Sequence, residues 1–357
     1  MTATAYVNRI GTANPPHDVH DAFVTLGRDM LADHKSRQVF DRLVERAAID
    51  HRWSYFQPSE PGAIDVDTTG FFRRGEFPST GARMKLYADN AVDLALAAIA
   101  NSGISTDGIT HLIAVSCTGF IAPGLDQVIA DRLGLGGALE RTMIGFMGCY
   151  AGVPALRAAR HIIRSDPDAR VLVVNVELCS LHMQETSDLE TVLTFLLFGD
   201  GATAALVTAE PHGLALHDFR STVLPDTQDL ITWRIGDQGF DMHLSGKVPA
   251  RIATALRTEA DRNDADGLLR GEDPRDIPLW AVHAGGRTVL DGVEQGLRLA
   301  ADALGYSRGV LRDVGNMSSA TLMFVLARIL AGDAVGRGMA IAFGPGLAAE
   351  TFRFTRV

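Results

Sequence analysis

The chain has 357 residues, 46% hydrophobic and 21% charged, which is apolar enough for one large core or two fused ones and excludes a disordered chain. A formal net charge of -10 excludes a general binder of nucleic-acid backbone, although a local basic patch for an anionic substrate remains open. No apolar run reaches the ~20 residues of a membrane span, and the opening MTATAYVNRIGTANPP lacks a signal-peptide layout, so a cytoplasmic protein without stable membrane association is expected.

Residues 1 to about 85 alternate amphipathic stretches, DAFVTLGRDMLADH and VFDRLVERAAI, with Pro and Gly breaks, and read as a helical lead-in with loops. From Asn90, NAVDLALAAIANSG reads as a helix and HLIAVSCTG as a buried strand. RTMIGFMG is strand-like, CYAGVPALRAARHIIRS helix-like, RVLVVNVEL a strand, and FGDGATAALVTA a glycine turn into another strand. Alternation of this kind predicts an α/β protein with a mostly parallel sheet covered by helices. Beyond Pro225 the order returns: PLWAVHAGG echoes HLIAVSCTG, GNMSSATLMFVLARIL echoes the helix after Cys149, and FGPGLAAETF echoes FGDGATAALV. A duplicated α/β unit is predicted, divided as 1–222 and 223–357, with no linker between the halves.

The cysteines, Cys117, Cys149 and Cys179, are well separated and form no CxxC pair, so neither a disulfide framework nor a metal site is expected. Cys149 follows a strand and a glycine and starts a helix with Pro154 near its first turn. Free N–H groups and the helix dipole favour a thiolate there, while a packed core cysteine also suits the position. His283 ends LWAVHAGG at a strand's carboxyl end, where open α/β folds place ligands, and equally suits a hydrogen-bonded core histidine. Asn316 precedes its helix as an N-cap or as a functional amide. A Cys, a His and an Asn at glycine-flanked corners together suit acyl transfer followed by enolate stabilisation.

GCYAG, VHAGG, GNMSSA and FGPGLAAE, in that order over nearly the whole chain, resemble the type III polyketide synthases, the chalcone synthase superfamily. SCTGF around Cys117 is similar to the bacterial members. The resemblance implies the thiolase fold, a duplicated α/β unit layered αβαβα. It implies an acyltransferase of secondary metabolism in which Cys149 carries the acyl chain, paired as thiolate with the His283 imidazolium. His283 and Asn316 would drive malonyl-CoA decarboxylation and hold the thioester oxygen. Acyl-CoA and malonyl-CoA would be the substrates, with no metal or bound organic cofactor.

FGDGA places Phe198 at the family's gate between CoA tunnel and cavity; the second gate position, in FDMHLSGKVP, holds Met242 where plant enzymes have phenylalanine. Cys117, His182, Trp233 and Ser318 match positions lining the plant cavity, His182 and Trp233 being bulkier than the plant threonine and glycine. Ala122 matches a residue that one subunit of the family's homodimer extends into its neighbour, and Arg52 in IDHRW matches a basic stretch at the tunnel mouth that would meet CoA phosphates. Because methionine is unbranched and adaptable, Met242 favours an aliphatic or fatty acyl starter with pyrone- or resorcinol-like products. Malonyl-CoA as sole substrate is the alternative. A ketoacyl synthase III of fatty-acid synthesis uses the same residue trio but typically shows an HQAN-type motif where this chain has HAGG; a thiolase needs a later second cysteine, and none follows Cys179. A non-catalytic acyl-binding protein would need none of the three.

Overall fold

A computed structural model describes residues 3–357. The first half opens with β1 (Tyr6–Ala13), β2 (His17–Asp18), α1 (His20–Met30), α2 (His34–Ala47), β3 (Trp53–Ser54) and α3 (Thr80–Ser102). It continues through β4 (His111–Ser116), α4 (Leu125–Arg132), β5 (Glu140–Gly145), α5 (Gly152–Ser165), β6 (Val171–Leu178), α6 (Leu189–Phe195) and β7 (Asp200–Thr208). The second half has β8 (Leu214–Val223), β9 (Ile231–Gly236), β10 (Gly239–Leu244), α7 (Val248–Ala260) and β11 (Leu279–Val282). It ends with α8 (Arg287–Leu297), α9 (Gly305–Val314), α10 (Thr321–Ala331), β12 (Gly336–Gly344) and β13 (Ala348–Arg356).

The main sheet runs β11-β12-β13-β8-β1-β7-β6-β4-β5. Each half repeats one pairing scheme. β4 is parallel to β6, which is antiparallel to β7, which is antiparallel to β1. Likewise β11 is parallel to β12, which is antiparallel to β13, which is antiparallel to β8. The echoes read in the sequence are therefore equivalent elements: β4 with β11, α5 with α10, β7 with β13. The repeat makes β8 the opening strand of the second half, ahead of the 222/223 division. The sequence reading also missed β1, which lies at the centre of the sheet rather than in a helical lead-in; its YVNRIGTA carries Asn8 and Arg9 and lacks a clean apolar alternation.

Side-chain alternation sorts the strands into two packing faces. Ile113, Val115, Val171 and Val173 pack with Ala155 and Leu156 of α5 and Leu322 and Val325 of α10. Leu112, Ala114, Leu172 and Val174 point the other way, onto Leu94, Ala95 and Ala98 of α3. In the second half Ala281 and Ala340 join the first core, whereas Val282 and Ile341 pack with Ile252 of α7 and Leu290 of α8. Thus α5 and α10 lie between two half-sheets, each covered outside by helices, in the αβαβα layering of the thiolase fold. The α10 sequence TLMFVLARILA is apolar almost all round, as a helix enclosed on both sides must be. Among the described residues no helix is long and apolar enough to cross a membrane.

Candidate active site

The two enclosed helices bring their leading turns together, with Cys149 in the approach to α5, Asn316 in the approach to α10 and His283 at the end of β11. Cys149 lies three residues ahead of α5, in a turn rather than in the helix itself. Gly148 before it holds φ +88°, and a Cβ there would come within 2.3 Å of Pro345 Cδ in the FGPG turn of the second half. Glycine is thus required on both counts. Cys117 braces the same turn from behind: its sulfur accepts the Gly148 N–H at 3.0 Å and donates to the Gly148 carbonyl at 3.5 Å. Its N–H donates to the Glu177 carboxylate at 2.9 Å, and its carbonyl accepts from Trp233 Nε1 at 3.0 Å.

Burial pushes the Cys149 thiol up to about 12, against a hydrogen bond from Ser318 that lowers it. His283 follows β11, tied by its N–H to the Ile341 carbonyl at 2.8 Å. Burial pushes its ring down to about 4, and Nδ1 has no hydrogen-bond partner among the described residues. Burial thus favours the neutral form of both groups, against the thiolate–imidazolium pairing that the resemblance implies.

Asn316 is fixed at the seam between halves. Its N–H donates to the Leu197 carbonyl at 2.8 Å and its own carbonyl accepts from Gly199 N–H at 3.0 Å, pairing it with Phe198. Its Oδ1 accepts from Ser318 N–H at 2.9 Å and from the Thr321 hydroxyl at 3.2 Å, and Nδ2 donates to the Gly285 carbonyl at 3.2 Å. These bonds set the amide's orientation and leave one N–H for another acceptor. The N-cap of α10 is Ala320, so capping does not account for Asn316.

Phe198, Met242, Trp233, Cys117 and Ser318 surround Cys149 about a cavity of only 20 Å³. Phe198 and Met242 both pack in the small apolar cluster that contains Cys149. Two expected positions fall elsewhere. His182 does not line the cavity: it is fully buried behind Trp233, with Nε2–H donating to the Thr118 carbonyl at 2.7 Å and Nδ1 accepting Phe240 N–H at 3.0 Å. Its ring stacks on Phe240 at 4.0 Å and meets Trp233 edge-on at 5.5 Å. Arg52 does not stand at a mouth: it is 0% exposed, and its guanidinium donates to the carbonyls of Phe195, Phe198 and His20 and to His20 Nδ1. It is a strut beneath the gate.

The sequence reading also missed residues. Cys179 and Phe195 line the cavity, and nothing in their local sequence marks them. Glu177 was legible as a charge within the apolar strand NVEL; it is fully buried, accepts from Cys117 N–H and from the Thr118 and Ser319 hydroxyls, and burial raises its carboxyl to about 7. Beside the gate an apolar groove of about 550 Å³ runs past Leu197, Leu244 and Gly285, with Arg46 and Arg287 as its arginines. Arg287 follows the Gly285-Gly286 pair directly, a signal available in the sequence. A larger surface groove of about 970 Å³, by Trp280 and Tyr306, contains none of the candidate residues.

Comparison with known proteins places these features in context. The chain matches the family description "Chalcone and stilbene synthases, N-terminal domain" over residues 2–211 and "Chalcone and stilbene synthases, C-terminal domain" over 215–357. It is 31% identical to the "Alpha-pyrone synthesis polyketide synthase-like Pks18" of Mycobacterium tuberculosis, over 99% of this chain and 91% of that protein. It is 32% identical to bisdemethoxycurcumin synthase of Oryza sativa subsp. japonica, over 97% and 91%. Among solved structures, PKS-I from the brown alga Ectocarpus siliculosus superposes with TM-score 0.86 at 28% identity, over 100% of this chain and 99% of that one. The type III polyketide synthase domain of Steely1 from Dictyostelium shares the fold at TM-score 0.89 and 23% identity, over 99% of both chains.

Proposed function

This chain belongs to the chalcone and stilbene synthase family, the type III polyketide synthases, and from that premise we propose that it condenses malonyl-CoA decarboxylatively onto an acyl starter held on Cys149. The observation that carries the reading is the seam at Asn316. One pairing sets the gate residue Phe198 against the amide, and the amide's oxygen is saturated so that its nitrogen is the side left to donate.

On this reading the acyl-CoA arm lies in the groove past Leu197, with Arg46 and Arg287 facing its phosphates. Attack of the Cys149 sulfur on the thioester passes its proton to His283, whose neutral ring is free to accept one. The acyl–sulfur bond forms as the CoA thiolate leaves. Malonyl-CoA then binds with its thioester oxygen facing the Asn316 N–H and the His283 ring. The electrons of the bond to carbon dioxide become an enolate held by those donors. The enolate carbon bonds the acyl carbonyl and releases the Cys149 sulfur. CoA thioesters are the only carriers required.

The starter proposed is aliphatic, because Met242 is the adaptable wall of the gate. The small cavity of 20 Å³, about the room of one water, favours the short end of that range. Trp233, pinned through its indole N–H, cannot swing aside without losing that bond. The pyrone named for the mycobacterial relative supports a pyrone-like product here. A homodimer is also proposed, since β5 is an outer strand of the sheet with Phe120 45% and Met143 39% exposed near Ala122. The test offers acetyl-, hexanoyl-, lauroyl- and coumaroyl-CoA in equal amounts with malonyl-CoA and reads products by mass spectrometry. Acetyl- or hexanoyl-derived pyrones are expected. Preference for coumaroyl-CoA refutes the gate argument, and a product from malonyl-CoA alone, undiminished by the others, favours the sole-substrate alternative.

A further inference from the structure

We propose that Thr80 is a positioning residue for substrate choice: its hydroxyl clasps the turn of the β9–β10 hairpin and so fixes where Trp233 and Met242 stand in the wall of the Cys149 cavity. The proposal rests on the condensing reaction at Cys149. β9 and β10 form a two-stranded sheet apart from the main one. A hairpin of that kind is marginal by itself, so contacts from the rest of the chain must hold it. Thr80 opens α3, the helix whose Leu94, Ala95 and Ala98 pack on the first half of the sheet. Ser79 caps that helix by accepting the Ala82 N–H at 3.3 Å. The Thr80 N–H, one of the unpaired donors of a helix start, is left to donate to the Asp237 carbonyl at 2.8 Å.

The Thr80 hydroxyl donates to the Gly236 carbonyl and accepts the Gly239 N–H at 2.9 Å. Gly236 ends β9 and Gly239 begins β10, so one side chain of the first half ties both strands of the second. The turn sits tightly there. Gly239 holds φ +103°, and a Cβ on it would come within 2.9 Å of Nη1 of Arg83, in the first turn of α3. Gln184 also reaches the turn, donating to the Gln238 carbonyl at 2.9 Å, but that bond meets neither strand. Trp233 and Met242 stand opposite each other three residues from the clasp, about 10 Å along the strands. At the cavity end the Trp233 indole is bonded to the Cys117 carbonyl at 3.0 Å, and the Phe240 N–H to His182 at 3.0 Å. The hairpin is therefore held at both ends and cannot tilt. Released at the turn, it pivots on the cavity anchors, and Met242, held by apolar packing with the cluster of Cys149 and Phe198, is the wall that moves.

Thr80→Val tests this most directly, because it keeps the shape and the N–H to Asp237 while removing the hydroxyl; Thr80→Ala is the second variant, and Thr80→Ser restores the hydroxyl. Hydrogen exchange of the full chain is followed by mass spectrometry. In Thr80→Val the peptides spanning 231–244 are expected to exchange about tenfold faster, the scale of leaving the buried Gly239 N–H unpaired, while β6 keeps its wild-type rate. Thr80→Ser should return the hairpin toward wild type. The product arm offers equal acetyl-, hexanoyl- and lauroyl-CoA with malonyl-CoA. There the ratio of lauroyl- to acetyl-derived product should rise roughly tenfold in Thr80→Val and fall back in Thr80→Ser, the scale on which a pocket wall discriminates between chains. Wild-type exchange in the hairpin, faster exchange spread evenly over the chain, or an unmoved product ratio in a loosened hairpin each overturns the proposal. The exchange arm needs no CoA substrate. A wild-type chain that makes no polyketide would therefore remove the reaction at Cys149, while exchange still decides whether Thr80 holds the hairpin.

Discussion

Glu177 shows how far one buried carboxyl governs this site. Its folded pKa is raised by burial from 4.5 to about 7, so its contribution is fully present below pH 4.5 and is lost as pH rises through 7. Glu177→Gln keeps the shape and stays neutral. Its stability relative to wild type should rise by on the order of 3 kcal/mol from pH 5 to pH 8, read by chemical denaturation; a difference that does not change with pH refutes the assignment. Asn316→Ala is expected to lower both decarboxylation and extension by ~10²-fold, the scale for removing an oxyanion donor. Cys149→Ala should abolish condensation and retain some decarboxylation, because the donors survive; wild-type condensation in that variant would remove Cys149 as nucleophile. Cys149, His283 and Asn316 were legible because glycines mark their corners. Arg52 and His182 were placed by matching positions, and a match says nothing about which way a side chain faces. Only packing reveals that Arg52 is consumed by carbonyls and His182 by Thr118 and Phe240.

The β9–β10 hairpin walls the cavity with paired residues, Trp233 opposite Met242. One is pinned to the Cys117 carbonyl and backed by His182 and Phe240, and the other, an unbranched methionine, packs beside Cys149 and Phe198. Trp233→Ala should therefore admit longer acyl chains and give longer polyketides, at a cost of about 3 kcal/mol in stability. Trp233→Phe should retain the short products. If Trp233→Ala leaves the product spectrum of a mixed acyl-CoA assay unchanged, the wall lies elsewhere. The long helices and β4, β6 and β7 were legible from apolar periodicity and glycine turns. This hairpin was not read, because ITWRIG and FDMHLS mix wall residues with exposed ones such as Ile235. Its side chains answer to the active site rather than to a core.

At the scale of the whole molecule, the outer edge of β5 carries the proposed homodimer. Phe120→Asp with Met143→Lys should shift sedimentation at micromolar concentration toward monomer, while a monomeric wild type would remove the proposal. The duplication was legible because each half keeps its strand, helix and glycine turn in the same order. The joining of both halves into one sheet was not, since among the described residues β1 and β8 pair in register just at Tyr6 with Ala215 and Val7 with Leu214, extended by the Leu216 N–H to the Ala5 carbonyl. The central place of β1 also bears on biosynthesis. Ala13 pairs with Ala202, about 190 residues further along the chain. At ribosomal speeds of about 5–20 residues per second, β1 waits roughly 10–40 s for β7 to be made. Through that interval both its edges are open and the buried face of Val7 is uncovered, so nascent chains ending before Asp200 should remain protease-sensitive and should engage chaperones.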